Sequence, residues 1–180
     1  MKKLSLFLLP LLMFACKGVE QHRASITELS TNWDNTTKAI TDFQAMVSAD
    51  LTNYTKALAA MQPDEASRAK MKPEQVITWE ASQKTVTDAL GAYAPLQKTI
   101  NDFVGTWSAK SAEVTALRDG LEKGKIEGDV NAKVTELNAM IATANENLNA
   151  WKASYSTIRG SVDAAFAGLQ QGSGLMTAPQ

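Results

Sequence analysis

The chain has 180 residues, enough for one domain, with 18 basic and 19 acidic residues. The formal charge of −1 argues against the strongly basic surface of a nucleic-acid-binding protein. There is one cysteine, which excludes a disulfide within the chain, and one histidine, His22, which has no second histidine or cysteine to complete a zinc site. We therefore expect neither a nucleic-acid partner nor a metal.

The first residues have the build of a secretory signal. Lys2 and Lys3 precede an apolar run, LSLFLLPLLMFA. A membrane-spanning helix needs about 20 apolar residues, and this run is shorter and is interrupted by Pro10. We predict that residues 1–15 are a signal peptide that directs export and is not part of the fold.

The cysteine, Cys16, directly follows the apolar run. The stretch Met13, Phe14, Ala15, Cys16 resembles the lipobox of bacterial lipoproteins, although a small residue is more common than Phe14 at its position. The resemblance covers only the first 16 residues. It implies that the Cys16 thiol receives a diacylglyceryl group and that the chain is cut just before it. Ordinary signal cleavage near Gly18, which would release a soluble protein, is the alternative.

Removal of residues 1–15 takes away Lys2 and Lys3, so 18 − 2 = 16 basic residues remain against 19 acidic ones, a formal charge of −3. No long basic stretch is present to bind anionic headgroups, so the membrane would be held through the lipid alone. In bacteria that sort lipoproteins by the residue after the cysteine, Lys17 favours the outer membrane. Residues 16–24 would then be the lipidated cysteine and its tether, in a cell-envelope protein that faces the periplasm or the surface.

The first of three helical segments is predicted over residues 26–62. Ser25 and Glu28 match a capping box, which places the helix start at Ile26. Large apolar or aromatic residues then recur every seven positions, as on one face of a helix. These residues are Ile26, Trp33, Ile40, Val47, Tyr54 and Met61.

The second helix is predicted over residues 73–123, with Pro73 as a favourable first residue. Pro95 lies inside its apolar stripe and would clash with the carbonyl of Gly91, four residues earlier. Because the seven-residue phase continues through this region, we predict one helix with a kink near Pro95. Its stripe contains Trp79, Val86, Tyr93, Ile100, Trp107, Val114 and Leu121.

The third helix is predicted over residues 129–171, with Asp129 as N-cap, Gly172 and Gly174 as its end and 172–180 as a flexible tail. Its apolar residues alternate steps of four and three, a coiled-coil pattern. Short connections join the three segments. The sequence therefore predicts an all-α fold over residues 25–171, an elongated, antiparallel, up-down-up three-helix coiled-coil bundle.

All four tryptophans and all three tyrosines lie on these stripes, so we interpret them as core residues rather than as an aromatic platform for a ligand. Antiparallel pairing about a turn near Lys70 would place Trp33 against Trp107. Thr36 and Asp50 lie beside the stripe of the first helix. Polar residues at such a seam can fix the register of a coiled coil, which is our interpretation of both.

No motif indicates catalysis, so we expect no enzyme, no cofactor beyond the acyl lipid on Cys16 and no small-molecule substrate. The leading hypothesis is a lipid-anchored scaffold, spacer or partner-binding protein of the cell envelope. A surface adhesin and a membrane-active helical bundle are the alternatives. An unidentified protein partner would be met at the first connection, Gln62 to Lys72. The candidate residues there are Arg68, Lys70, Met71 and Lys72, unless this is an ordinary solvated turn.

Overall fold

A computed structural model of the protein describes residues 19–177, with side chains described as far as Gly172. Within this range the fold is all-helical and contains no strand, which confirms the all-α prediction. The helical segments whose bounds lie within this range follow one another in order. They are α1 (Arg23–Ala60), α2 (Glu65–Arg68), α3 (Pro73–Gly91), α4 (Tyr93–Glu122) and α5 (Val130–Thr177). The predicted signal peptide and Cys16 lie outside the described residues.

The chain divides into two compact units. Unit 1 contains Asp102–Leu148 and the chain up to Thr41, and unit 2 contains Asp42–Asn101 and the chain from Asn149 onward. Helices α1, α4 and α5 contribute one part to each unit, whereas α2 and α3 belong wholly to unit 2.

The core of unit 1 is formed by the predicted stripes of α1, α4 and α5. Trp33 of α1 stacks on Trp107 of α4 with ring centroids 3.7 Å apart, which confirms the predicted pairing. Ser30, earlier in α1, accepts a hydrogen bond through its carbonyl from Arg118, later in α4, so these two helices run antiparallel within unit 1. The other buried side chains of unit 1 include Ile26, Leu29, Ile40, Val114, Leu117, Leu137, Ala144 and Leu148.

In unit 2 the described contacts relate α1 to α5 as a parallel pair. Phe43 packs edge-on against Tyr155 with centroids 5.8 Å apart, and Tyr54, later in α1, packs against Phe166, later in α5, at 5.5 Å. The buried residues of this unit include Val47, Trp79, Val86, Leu90, Tyr93, Leu96, Ile100, Trp151, Val162 and Leu169. Burial of these apolar side chains is the dominant favourable contribution to folding.

The predicted second helix is bent as expected, and the bend lies at Ala92, between Gly91 and Pro95. The Ala92 N–H donates to the carbonyl of Ala89 at 3.2 Å, three residues back instead of four. Pro95 has no N–H, and its ring excludes the carbonyl of Gly91, so regular helical bonding is interrupted one turn before the proline. One bent helix therefore occupies this segment, as predicted, and its two parts, α3 and α4, end and begin on either side of Ala92.

The start predicted for α1 is wrong. The helix begins at Arg23, and the Ser25 hydroxyl donates to the carbonyl of His22 at 3.0 Å instead of capping a helix end. The preceding residues already make helical bonds, since His22 N–H donates to the carbonyl of Val19 at 3.0 Å. A cap at Ser25 therefore has no free N–H groups to satisfy.

For the third helix, the predicted start is confirmed and the predicted end is wrong. Asp129 is its N-cap as predicted, since its carboxylate accepts from the Ala132 N–H at 3.0 Å. The helix continues past Gly172 and Gly174 and ends at Thr177. A glycine inside a helix lowers the stability of the helix by about 1 kcal/mol relative to alanine. It ends the helix where its backbone adopts the left-handed conformation. No helix among residues 19–177 is long and apolar enough to cross a membrane.

Candidate functional site

Val19 and His22, which precede α1, lie beside the connection between α4 and α5. Val19 is buried, and with His22 it lines a cleft of about 340 Å³ in unit 1. The other lining residues are Gly124, Lys125, Ile126, Gly128 and Val130. Of the predicted tether, residues 16–24, only 16–18 lie outside the described residues, and the chain is folded from Val19 onward.

This connection owes its path to two glycines. Gly124 has a φ of 68° and Gly128 a φ of 81°, the left-handed region that other residues rarely adopt. The turn brings Ile126 back over Gly120 of α4, where a Cβ would lie 2.8 Å from the Ile126 Cγ1 atom. The lack of a side chain at Gly120 therefore allows the connection to pack directly on α4.

The first connection, Gln62 to Lys72, contains the short helix α2. Asp64 caps α2, since its carboxylate accepts from the Ser67 N–H at 2.7 Å. Hydrogen bonds from Ser67 lower the pKa of the Asp64 carboxyl below its ordinary value.

The four candidate partner-binding residues in this connection have different environments. Arg68 forms an ion pair with Glu80 of α3 at 2.5 Å, and its guanidinium lies 5.8 Å from the ring centroid of the buried Trp79. Lys72 is the N-cap residue of α3, and its N–H donates to the Gln75 side chain at 2.8 Å.

Lys70 is exposed and Met71 is half-buried. Arg68 and Lys72 are also exposed, so Met71 is the least accessible of the four candidate residues. The ion pair of Arg68 with Glu80 holds α2 against α3.

A polar cluster in unit 2 was not identified from the sequence as one site. The Tyr155 hydroxyl of α5 donates to the Asp50 carboxylate of α1, and the Tyr54 hydroxyl of α1 donates to the Asp163 carboxylate of α5. Arg159 of α5 lies 3.8 Å from an Asp50 oxygen and 4.0 Å from an Asp163 oxygen. The two carboxylates thus each have a phenol donor and share one guanidinium.

The electrostatics of this cluster keep its phenols protonated. Burial, and then the hydrogen bond to Asp50, raise the pKa of Tyr155 to about 12. Burial and the bond to Asp163 also raise the pKa of Tyr54. These hydroxyls therefore donate hydrogen bonds over the physiological pH range and are not proton-releasing groups.

Tyr93 of α4 completes the cluster. It packs edge-on against Tyr155 at 6.4 Å and tilted against Tyr54 at 6.5 Å. Its side chain is fully buried, and its hydroxyl has no hydrogen-bond partner among the described residues. Burial, and then the nearby charge of Asp50, raise the pKa of Tyr93 above its ordinary value.

Polar contacts also surround the stacked tryptophans of unit 1. The Trp107 Nε1–H group donates to the Thr37 hydroxyl at 2.8 Å. Arg118 donates to the Ser30 carbonyl at 2.9 Å and pairs with Asp34 at 2.8 Å. These contacts satisfy the indole and hold α4 against α1.

Among residues 19–177 no group of three or more His, Cys, Asp or Glu side chains is placed to hold a metal ion. Comparison of the chain with protein families, with curated proteins and with solved structures gave no match. The function is therefore argued from the residues of this chain.

Proposed function

We propose that this protein is a lipid-anchored, non-catalytic member of the bacterial cell envelope that acts as a helical scaffold, spacer or partner-binding module. The observation that carries the proposal is the position of Cys16, immediately after a short apolar run with a basic start. A diacylglyceryl group on that thiol would attach the helical domain to a membrane, and Lys17 favours the outer membrane.

The packing of the aromatic residues supports a structural rather than a ligand-binding role for them. The four tryptophans are buried, at 3% exposure for Trp33, 4% for Trp79, 3% for Trp107 and 5% for Trp151. Aromatic rings that bind sugars or bases have to be accessible, so these side chains serve the core instead. What the protein presents to a partner is accordingly its polar helix surfaces and connections.

The finer architecture is part of this proposal. An elongated, up-down-up three-helix coiled coil requires α1 and α4 to run antiparallel and α1 and α5 to run parallel. The contacts of Trp33 with Trp107 and of Ser30 with Arg118 support the first relation within unit 1. The contact of Phe43 with Tyr155 and that of Tyr54 with Phe166 support the second relation within unit 2.

We place the partner-binding residues of this proposal at the first connection, at Arg68, Lys70, Met71 and Lys72. A photocrosslinking amino acid at Lys70, compared with one at Lys125 of the other connection, tests this placement in living cells. Capture of a protein from position 70 alone supports it, whereas capture from position 125 alone moves the binding surface to the second connection.

Metabolic labelling with an alkyne-bearing fatty acid tests the anchor itself. The full chain expressed in a bacterium should incorporate the label, and the Cys16→Ala variant should not. Labelling of both chains, or of neither, would contradict a lipid on Cys16. Protease treatment of intact cells then separates a surface-facing protein, which is degraded, from a periplasm-facing one, which is protected.

A further inference from the structure

Two apolar stripes that repeat every seven residues can pair in more than one register. In unit 2, a shift of α5 along α1 by seven residues would bring Leu148 or Val162 to the place of Tyr155. Both are large apolar residues that fit a buried layer. Apolar burial alone therefore discriminates weakly between the observed register and its neighbours.

The polar cluster does not share this repeat. Asp50 accepts a hydrogen bond from Tyr155, and its side chain is only 23% exposed. After a shift of seven residues the carboxylate would face Leu148 or Val162, neither of which has a donor. A poorly solvated carboxylate without its donor is costly, so the shifted registers are penalised while the observed one is not.

The charged partners add to this discrimination in one direction. A shift that brings Val162 opposite Asp50 also brings Phe166 to the place of Arg159, so the carboxylate loses its cation as well as its donor. A shift in the other direction brings Lys152 to that place and retains a cation, but still loses the hydroxyl. Both alternative registers are therefore less favourable for Asp50 than the one observed.

We infer that the cluster of Asp50, Tyr54, Tyr155, Arg159 and Asp163 is a register lock, which selects one alignment of α1 with α5 in unit 2. The two phenol–carboxylate pairs join residues 105 and 109 apart in the sequence, and the donor comes from α5 in the first pair and from α1 in the second. A shift of α5 along α1 moves both Tyr155 and Asp163 away from their partners on α1, so it breaks both pairs.

A distance measurement between α1 and α5 tests the lock. Ala45 and Ala164 are exposed positions of unit 2 where spin labels can be attached through azide-bearing amino acids, which leaves Cys16 untouched in the full chain. Relative to the packed pair Phe43 and Tyr155, the α5 label lies further along its helix than the α1 label. The axial offset between the labels is therefore about 10 Å in the observed register, and a shift of seven residues reduces it to near zero or raises it to about 20 Å, at about 1.5 Å per residue. The label separation shortens in the first case and lengthens in the second.

The informative variant is Asp50→Leu, which removes the carboxylate that penalises the shifted registers. We expect one label distance in the parent chain and a second population, shorter or longer than the parental one, in Asp50→Leu, because its axial offset differs by about 10 Å. Gln44→Leu is the matched control, because it removes a 2.7 Å hydrogen bond from α1 to Asn101 that lies outside the cluster. The control should keep the single parental distance.

A single, unchanged distance in Asp50→Leu would overturn the lock, as would the same second population in Gln44→Leu. If Asp50→Leu loses its helical circular dichroism, Tyr155→Phe decides, since it keeps the ring and removes only the hydroxyl donor. Tyr155→Phe should then show the displaced population, and a single parental distance in that variant would overturn the proposal. Loss of helicity in both variants would also overturn it, because a register lock selects an alignment of helices that already form.

Discussion

Trp33 and Trp107 stack face to face in unit 1, with ring centroids 3.7 Å apart and an interplanar angle of 9°. Both rings are buried, and the Trp107 indole N–H is satisfied by Thr37. This pair joins α1 to α4 through two of the largest side chains in the protein. Its loss should therefore be among the most destabilising single changes in unit 1.

We expect Trp107→Ala to lower the free energy of unfolding by about 3 to 5 kcal/mol, as for other buried aromatic side chains replaced by alanine. Urea denaturation followed by circular dichroism measures this change. Trp107→Phe is the control, because it retains an apolar ring and loses the hydrogen bond to Thr37, and it should cost less than the alanine variant. A loss below about 1 kcal/mol for Trp107→Ala would contradict the packing described for this pair.

Removal of the Tyr93 hydroxyl and removal of the Tyr155 hydroxyl should have different effects on the stability of the fold. Tyr155→Phe deprives Asp50 of its donor and should cost about 1 to 3 kcal/mol, because a partly buried carboxylate is left without a hydrogen bond. Tyr93→Phe removes a buried hydroxyl that has no partner among the described residues, so stability should be unchanged or higher. Equal losses in the two variants, measured by urea denaturation, would contradict this distinction.

The raised pKa of Tyr155 also predicts that the stability of the fold decreases at alkaline pH. Its folded-state pKa of about 12 lies above the ordinary value near 10, so the folded state holds the phenolic proton more tightly than the unfolded state does. The corresponding stability, about 2 to 3 kcal/mol, is present below pH 10 and is lost as the pH rises from 10 to 12.

Urea denaturation at a series of pH values from 8 to 12 measures this loss. Tyr155→Phe is the control, and its stability should fall less steeply over the same interval. Parallel curves for the two proteins would show that Tyr155 is not the titrating group.

Replacement of Gly105 or of Gly120, both in α4, by alanine should change the stability of the fold in opposite directions. A Cβ at Gly105 would meet nothing within 4 Å, so Gly105→Ala should raise stability by about 0.5 to 1 kcal/mol through the higher helix propensity of alanine. A Cβ at Gly120 would lie 2.8 Å from the Ile126 Cγ1 atom and 2.9 Å from the Lys125 carbonyl oxygen. Gly120→Ala should therefore lower stability by about 1 to 3 kcal/mol, and thermal unfolding of both variants checks the contrast in sign.

The sequence was sufficient for features that depend on helical periodicity. The spacing of Trp33 and Trp107 within their stripes, together with an antiparallel turn, predicted that the two rings meet, and they do. Asp129 was recognisable as an N-cap because its chemistry is local to the helix start. Such features need no knowledge of distant residues.

Other features depend on backbone bonding or on distant residues and could not be predicted in the same way. The start of α1 at Arg23 depends on helical bonds made by the residues before it. The pairing of Asp50 with Tyr155 joins residues 105 apart, so its recognition required the alignment of α1 with α5, although Asp50 itself stood out as a polar residue beside an apolar stripe.

We propose that Cys16 anchors the protein to a membrane through a lipid. Mass spectrometry of the mature protein purified from bacterial membranes tests this claim most directly. We expect a chain that begins at Cys16 and carries the added mass of a diacylglyceryl group on the thiol. A mature chain that begins near Gly18, or one that retains an unmodified Cys16, would contradict it.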